Sequence, residues 1–155
     1  MAGKIDAHIK SLGLALPAAS APVANYVPYV RTGSLVFVSG QLPLQDGAVK
    51  YTGIVGAGVS VEDGYEAAKL CGLNLIAQVK AACDGDLDRV KRVVKLTGFV
   101  AGGADFGDQP KVMNGASDLM VQVFGDAGRH SRAAVGAPSL PRGAAVEVEA
   151  VFEVS

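Results

Sequence analysis

The residues best equipped for chemistry crowd toward the end of the chain: Arg132, Arg142 and the glutamates Glu147, Glu149 and Glu153. Val146, Val148, Ala150, Phe152 and Val154 alternate there with Glu147, Glu149, Val151 and Glu153. Successive side chains of a strand point to opposite faces, so one face is apolar and the other carries three carboxylates. A carboxylate taken out of water must be hydrogen-bonded, ion-paired or engaged in chemistry. Solvation, or structural pairing with Arg132 or Arg142, is the expected fate of Glu149 and Glu153.

Other reactive residue types carry less. Cys71 and Cys83 fall along one helical stretch, about 18 Å apart by helix rise, which is beyond disulfide reach. They read as small buried hydrophobes, and neither has a second Cys or His at metal spacing, so no metal and no cofactor are expected. His8 and His130 read as exposed polar residues, with only a slight hint of a role for His130 beside Arg132. The glycine-rich run Gly53 to Gly58 lacks the Gly-Lys-Ser/Thr ending of a phosphate loop and is expected to be a flexible irregular loop. Arg89, Lys91, Arg92 and Lys95 form a basic cluster that a solvated strand start explains.

The elements that must position these residues follow from periodicity. Ile5, Ile9 and Leu12 at helical spacing predict a short helix over about residues 4–13, followed by an extended connector from Leu16 to Pro22. Tyr26 to Arg31 and Leu35 to Ser39 predict a hairpin turning at Thr32-Gly33-Ser34. Ser60 with Asp63 predicts a helix start, and Val61, Tyr65, Ala68, Gly72, Leu75, Ile76, Val79 and Cys83 mark its buried stripe. Arg89 to Ala101 predicts a strand with Val90, Val94, Leu96 and Val100 on one face and Val93, Thr97 and Phe99 on the other. Asp108 and Pro110 open a second helix that Gly125 closes, and Arg132 to Ala137 and Ala145 to Val154 are the last strands.

The order β-β-α-β-α-β-β predicts an α+β fold, a two-layer sandwich of one mixed sheet with two main helices on one face, as a single domain over residues 1–155. Two helices cover one face, yet Leu35 and Phe37 oppose Val36 and Val38, and Phe99 opposes Val100. The other face therefore calls for a partner, most economically a second copy of the chain. A net charge of -1 gives no general attraction to nucleic acid or anionic lipid. With no signal-like start and no apolar run of membrane-spanning length, cytoplasmic residence is the expectation.

Arg132, then Leu140-Pro141, then Val146-Glu147-Val148-Glu149-Ala150 resembles the carboxy-terminal signature of the RidA/YjgF (Rid) family. Pro28-Tyr29-Val30, Val38-Ser39-Gly40-Gln41-Leu42-Pro43 and Asn114 agree, so the resemblance covers most of the chain from Ala21 onward, with a longer subgroup the better match. It implies a chorismate-mutase-like fold, a homotrimer with clefts between subunits, and hydrolytic deamination of 2-imino and enamine acids to 2-oxo acids without a cofactor. It also implies roles. Arg132 would grip the substrate carboxylate through its planar guanidinium. Glu147 would position or deprotonate the attacking water. Ser39, the backbone N–H near Gly40, Tyr29 and Asn114 would line the cleft. Ala134 stands where many members carry a cysteine, and Gly136 where they carry a glutamate, which leaves the preferred acid open.

Two other readings accompany that one. The same cleft could bind 2-oxo acids without turnover, as a regulatory or chaperone-like trimer. Endoribonuclease activity, a label the family carries, draws little support from residues that offer neither a His pair for acid-base cleavage nor an aromatic platform for bases.

Overall fold

A computed structural model describes residues 3–21 and 24–155. Helix α1 (Lys4–Ser11) is followed by β1 (Tyr29–Thr32) and β2 (Leu35–Gln41), then by the short strands β3 (Leu44–Gln45), β4 (Ala48–Val49), β5 (Ile54–Val55) and β6 (Gly58–Val59). Helix α2 (Val61–Ala82), β7 (Val90–Ala101), α3 (Gln109–Phe124), β8 (Ser131–Ala137) and β9 (Val146–Val154) complete the chain. The Ser60 hydroxyl accepts the Asp63 N–H at the start of α2, and Pro110 lies in the first turn of α3, as expected from their sequence positions. The strand expected from Tyr26 begins instead at Tyr29, because Pro28 just before it has no N–H to give to a ladder.

Five strands form one mixed sheet in the order β1-β2-β9-β7-β8. β9 runs antiparallel to both neighbours, so β2 and β7 are parallel and α2 is the crossover between them; β8 is parallel to β7 and α3 is its crossover. Both crossovers step in the same direction across the sheet. Parallel crossovers are right-handed almost without exception, and two such steps put both helices on one face. The core lies between: Val36, Val38, Leu96, Val100, Val148 and Phe152 from the sheet meet Leu75, Ile76, Met113, Ala116 and Met120 from the helices, all buried. Gly98 admits the thioether of Met113, and Gly115 lets α3 approach the Tyr65 carbonyl of α2.

Three expectations need correction. Strand β7 does not keep one parity: Val93 pairs with Phe152 and Lys95 with Val151, so Val94 is an extra residue. That bulge swings Val93 onto the helix side with Leu96 and Val100. The run Gly53 to Gly58 is not an irregular loop but holds β5 and β6, with Gly56 N–H bonded to the Val59 carbonyl and Gly56 and Gly58 at positive φ. Helix α2 is buried on nearly every side from Cys71 to Val79 rather than along one stripe. The connector lies against it, with Gln78 donating to the Ser20 carbonyl and Asn74 to that of Leu44. Of that connector, Pro22 lies outside the described residues.

The second face of the sheet is bare. Val30 and Phe37, 53% and 46% exposed, lie in one cross-strand row with the half-buried Val151, and Val135, 44% exposed, pairs with the half-buried Phe99 four residues further along, with Thr97 and Glu149 between the two groups. Apolar side chains exposed on one sheet face in this way mark an interaction surface. Phe37→Glu should cost little stability, because the side chain gives up no core contact, while abolishing any self-association through this face; light scattering on the native and substituted chains measures it.

Candidate functional site

Arg132 enters from the edge strand β8, aligned with Leu96 and therefore on the helix side. Asn114 and Ser117, one turn apart on α3, face it. Arg132 Nη1 donates to Asn114 Oδ1 at 2.9 Å and to Ser117 Oγ at 3.2 Å. Both acceptors are neutral. The guanidinium is half-buried and, among the described residues, makes no ion pair. It lines a cavity of ≈ 310 Å³ with Asn114, Ser117, Asp118, Val121, Arg129 and His130. The carboxylate of Asp118 is occupied by the Tyr65 hydroxyl at 2.8 Å.

His130 is the residue sequence reasoning undervalued. It is half-buried rather than exposed, with Nδ1 2.6 Å from the Gly128 carbonyl and Nε2 2.9 Å from Ser117 Oγ. Burial, with the nearby Arg132 charge, holds its pKa below the ordinary value. Ser117 was equally unmarked, although its three-residue spacing from Asn114 on a helix is a signal that could have found it.

Glu147 belongs to a different place. On β9 it pairs with Phe99 and faces the open side, half-buried, where it lines a cavity of ≈ 430 Å³ with Gly40, Gln41, Tyr26, Pro28 and Arg142 among others. Between Val38 and Gln41 β2 carries one more residue than β9, and this bulge brings the Gly40 backbone against the Glu147 carboxylate, which a Cβ there would displace. Burial raises the Glu147 pKa, and the neighbouring Glu149 carboxylate adds to the rise. Ser39 is half-buried in the same bulge, its hydroxyl donating to the Val27 carbonyl at 2.8 Å. It lines a third cavity, on the open face, with Phe37, Lys95, Thr97 and Glu149.

One subunit therefore brings Arg132 and Asn114 together, and Gly40 and Glu147 together, but does not join the pairs. Arg132 and Glu147 flank β7 on opposite sides, aligned with Leu96 and Phe99 and on opposite faces. Strand spacing and rise put their backbones roughly 14 Å apart. Tyr29 sits half-buried at the start of β1, packed against the core, and Ala134 packs likewise on the Arg132 face beside Gly98. Arg132 and Arg142 form no pair with Glu149 or Glu153 among the described residues. Of the basic cluster, Arg89 is committed to the Ser155 carbonyl and to Asp84. Cys71 and Cys83 are buried and free, and burial pushes both thiols up. Among the described residues no helix is long and apolar enough to cross a membrane.

A mixed five-strand sheet with two long helices on one face defines the YjgF/chorismate-mutase-like class of α+β proteins. Residues 6–153 match the family described as "YjgF/chorismate_mutase-like, putative endoribonuclease". The chain belongs to this YjgF/RidA family. It is 51% identical over 154 residues to Protein TCP17 of Trypanosoma cruzi, covering 99% of this chain and 96% of that one. The crystal structure of Atu1372 from Agrobacterium tumefaciens, a protein of unknown function, superposes with a TM-score of 0.92 at 50% identity, covering 97% and 92% of the two chains. E. coli TdcF with bound serine superposes at 0.64 with 25% identity, covering 88% and 94%.

Proposed function

We propose that the chain hydrolyses 2-imino acids, with their enamine tautomers, to 2-oxo acids and ammonia in clefts between the subunits of a homotrimer. The observation that carries this reading is the state of Arg132. Its Nη1 hydrogens are spent on two neutral oxygens, while Nη2 and Nε have no protein acceptor among the described residues. A half-buried guanidinium without a counter-ion, with one edge free, fits a carboxylate in the bidentate manner. The serine bound to TdcF, an amino acid with such a carboxylate, supports a ligand of this kind.

Chemistry requires little more than orientation and one water. Glu147, with its raised pKa, takes a proton from water as the oxygen adds to the C=N carbon. The carboxyl so formed gives that proton to the imine nitrogen, and in the resulting carbinolamine the hydroxyl proton passes to the nitrogen, by way of the same carboxylate, as the C–N bond breaks, releasing ammonia and leaving the carbonyl of the 2-oxo acid. The Gly40 backbone and Ser39 border the same region, with Tyr29, Asn114 and Ala134 completing the cleft in this reading. A second copy docked on the bare sheet face brings its Glu147 region to the Arg132 of its neighbour, the arrangement a single subunit lacks. Generating 2-iminobutyrate in situ and timing its decay tests the proposal: the pure protein accelerates it, and an unchanged decay contradicts the reading.

As a base, Glu147 must be ionised, so activity falls as pH drops through its raised pKa. Glu149→Gln removes a neighbouring negative charge that opposes ionisation. The acid limb of the kcat/KM profile should move to lower pH, which a pH series on the imine assay checks; an unmoved limb would remove Glu147 from the base role. Binding without turnover has one observation in its favour, since in a single subunit the Arg132 cavity holds no Glu147. Firm 2-oxobutyrate binding combined with an unaccelerated imine decay would select it.

A further inference from the structure

We propose that His130, as a neutral ring protonated on Nδ1, is a positioning residue that holds the Arg132 guanidinium in its binding pose through the Ser117 hydroxyl. The inference rests on the reading of Arg132 as a carboxylate anchor and extends it to what aims that anchor. It starts from the Gly128 carbonyl. A carbonyl only accepts, so the ring nitrogen 2.6 Å from it, Nδ1, is the donor. Burial and the Arg132 charge favour the uncharged ring, which leaves Nε2 as a bare acceptor.

The nearest partner of Nε2 is Ser117 Oγ at 2.9 Å, and a bare nitrogen can only receive that hydroxyl hydrogen. With its hydrogen committed to His130, Ser117 turns oxygen lone pairs toward Arg132, whose Nη1 donates to it at 3.2 Å. The polarity of the chain is thereby set from end to end: His130 Nδ1–H to Gly128 carbonyl, Ser117 O–H to His130 Nε2, Arg132 Nη1–H to Ser117 Oγ. Asn114 Oδ1 receives the other Nη1 hydrogen. Arg132 is pinned at one nitrogen, and its Nε and Nη2 edge is presented to the cavity with its rotamer entropy already spent.

Without the Nε2 acceptor the Ser117 hydroxyl turns freely, its hydrogen competes for the space facing Nη1, and one of the two bonds that aim the guanidinium weakens. No contact between His130 and the ligand is needed. The imidazole acts on Ser117, and Ser117 on Arg132.

The test is a double-mutant cycle read as 2-oxobutyrate affinity by calorimetry on the intact oligomer, with Arg132→Ala as reference. His130→Asn keeps a donor near the Nδ1 position but offers Ser117 no acceptor; it should weaken binding about five- to tenfold, the net worth of one ordinary neutral hydrogen bond. Ser117→Ala should lose as much, and the double variant no more than Ser117→Ala alone. His130→Gln, which places an amide oxygen within reach of Ser117, should stay within about twofold of the native chain because that acceptor replaces the missing bond. The ring nitrogen resonances of native His130 should report a proton on Nδ1 and none on Nε2. Native affinity in His130→Asn, losses that multiply in the double variant, or a ring protonated on Nε2 would each overturn the inference while the loss of binding in Arg132→Ala left the anchor standing. Full affinity in Arg132→Ala would overturn the anchor, and this inference with it.

Discussion

Arg132→Ala should lower kcat/KM for 2-iminobutyrate by about two to three orders of magnitude, and weaken 2-oxobutyrate binding by a similar factor. Two charge-assisted hydrogen bonds disappear with the guanidinium edge, worth together about 3–4 kcal/mol. The fold has little at stake, since among the described residues the Arg132 side chain contributes only two bonds, to neutral side chains at the sheet edge. Thermal unfolding should stay close to that of the native chain, which separates loss of the anchor from loss of structure. Arg132→Lys should recover little: an ammonium preserves the charge but cannot present two parallel N–H groups while a third nitrogen stays tied to Asn114 and Ser117. Substrate-saturation kinetics on the three proteins, with melting curves beside them, provide the check. Near-native turnover in either variant would remove Arg132 from the site.

The second large effect is on stability. Gly115→Ala should destabilise the chain by about 3 kcal/mol, toward the upper end of overpacking penalties, and lower the melting temperature by roughly 10 °C. Its Cβ would meet the Tyr65 carbonyl oxygen, with Lys69 N one turn further along α2 at 3.2 Å. These are backbone atoms of α2, which no rotamer change can clear. The helices must separate or tilt, and the packing of Gly72 against Leu119 opens with them. Because Asn114 and Ser117 flank this contact on α3, the shift also displaces both supports of Arg132, so ligand affinity should fall together with stability. Gly107→Ala is the matched control: nothing lies within 4 Å of a Cβ there and its φ is ordinary, so its melting curve should overlay the native one. Equal melting of the two variants would show that the α2–α3 approach tolerates more than its geometry allows.

Much of this architecture was legible in the residues. Alternation gave β2 and β9 their two faces, and Val36 and Val38 against Leu35 and Phe37 already implied an uncovered apolar side, which the exposure of Phe37 and Val30 bears out. Ser60, Pro110 and Gly125 marked the helix ends because caps act locally. What escaped depended on distant partners. The parity of Val93 is reset by a bulge that only pairing with β9 reveals, and the burial of Gln78 depends on a connector some 58 positions away in the chain. At the site, spacing placed Arg132 on the helix side of nothing in particular; the edge position beside α3 is a topological outcome. His130 reads as exposed when judged by type and neighbours, and gains its place from Gly128 and Ser117. Nor could the sequence tell that Arg132 and Glu147 occupy opposite faces, since that follows from which strands flank β7.

This separation makes the central claim testable by mixing. If each site takes Arg132 from one subunit and Glu147 from another, Arg132→Ala and Glu147→Gln are each inactive alone, but oligomers assembled from both contain interfaces where the two native residues meet. For random cyclic assembly from equal amounts, about a quarter of the interfaces qualify, so co-refolding the two variants should restore roughly a quarter of the native rate of 2-iminobutyrate decay. A mixture as inactive as its components, in oligomers shown to have exchanged subunits, would contradict a site shared between subunits.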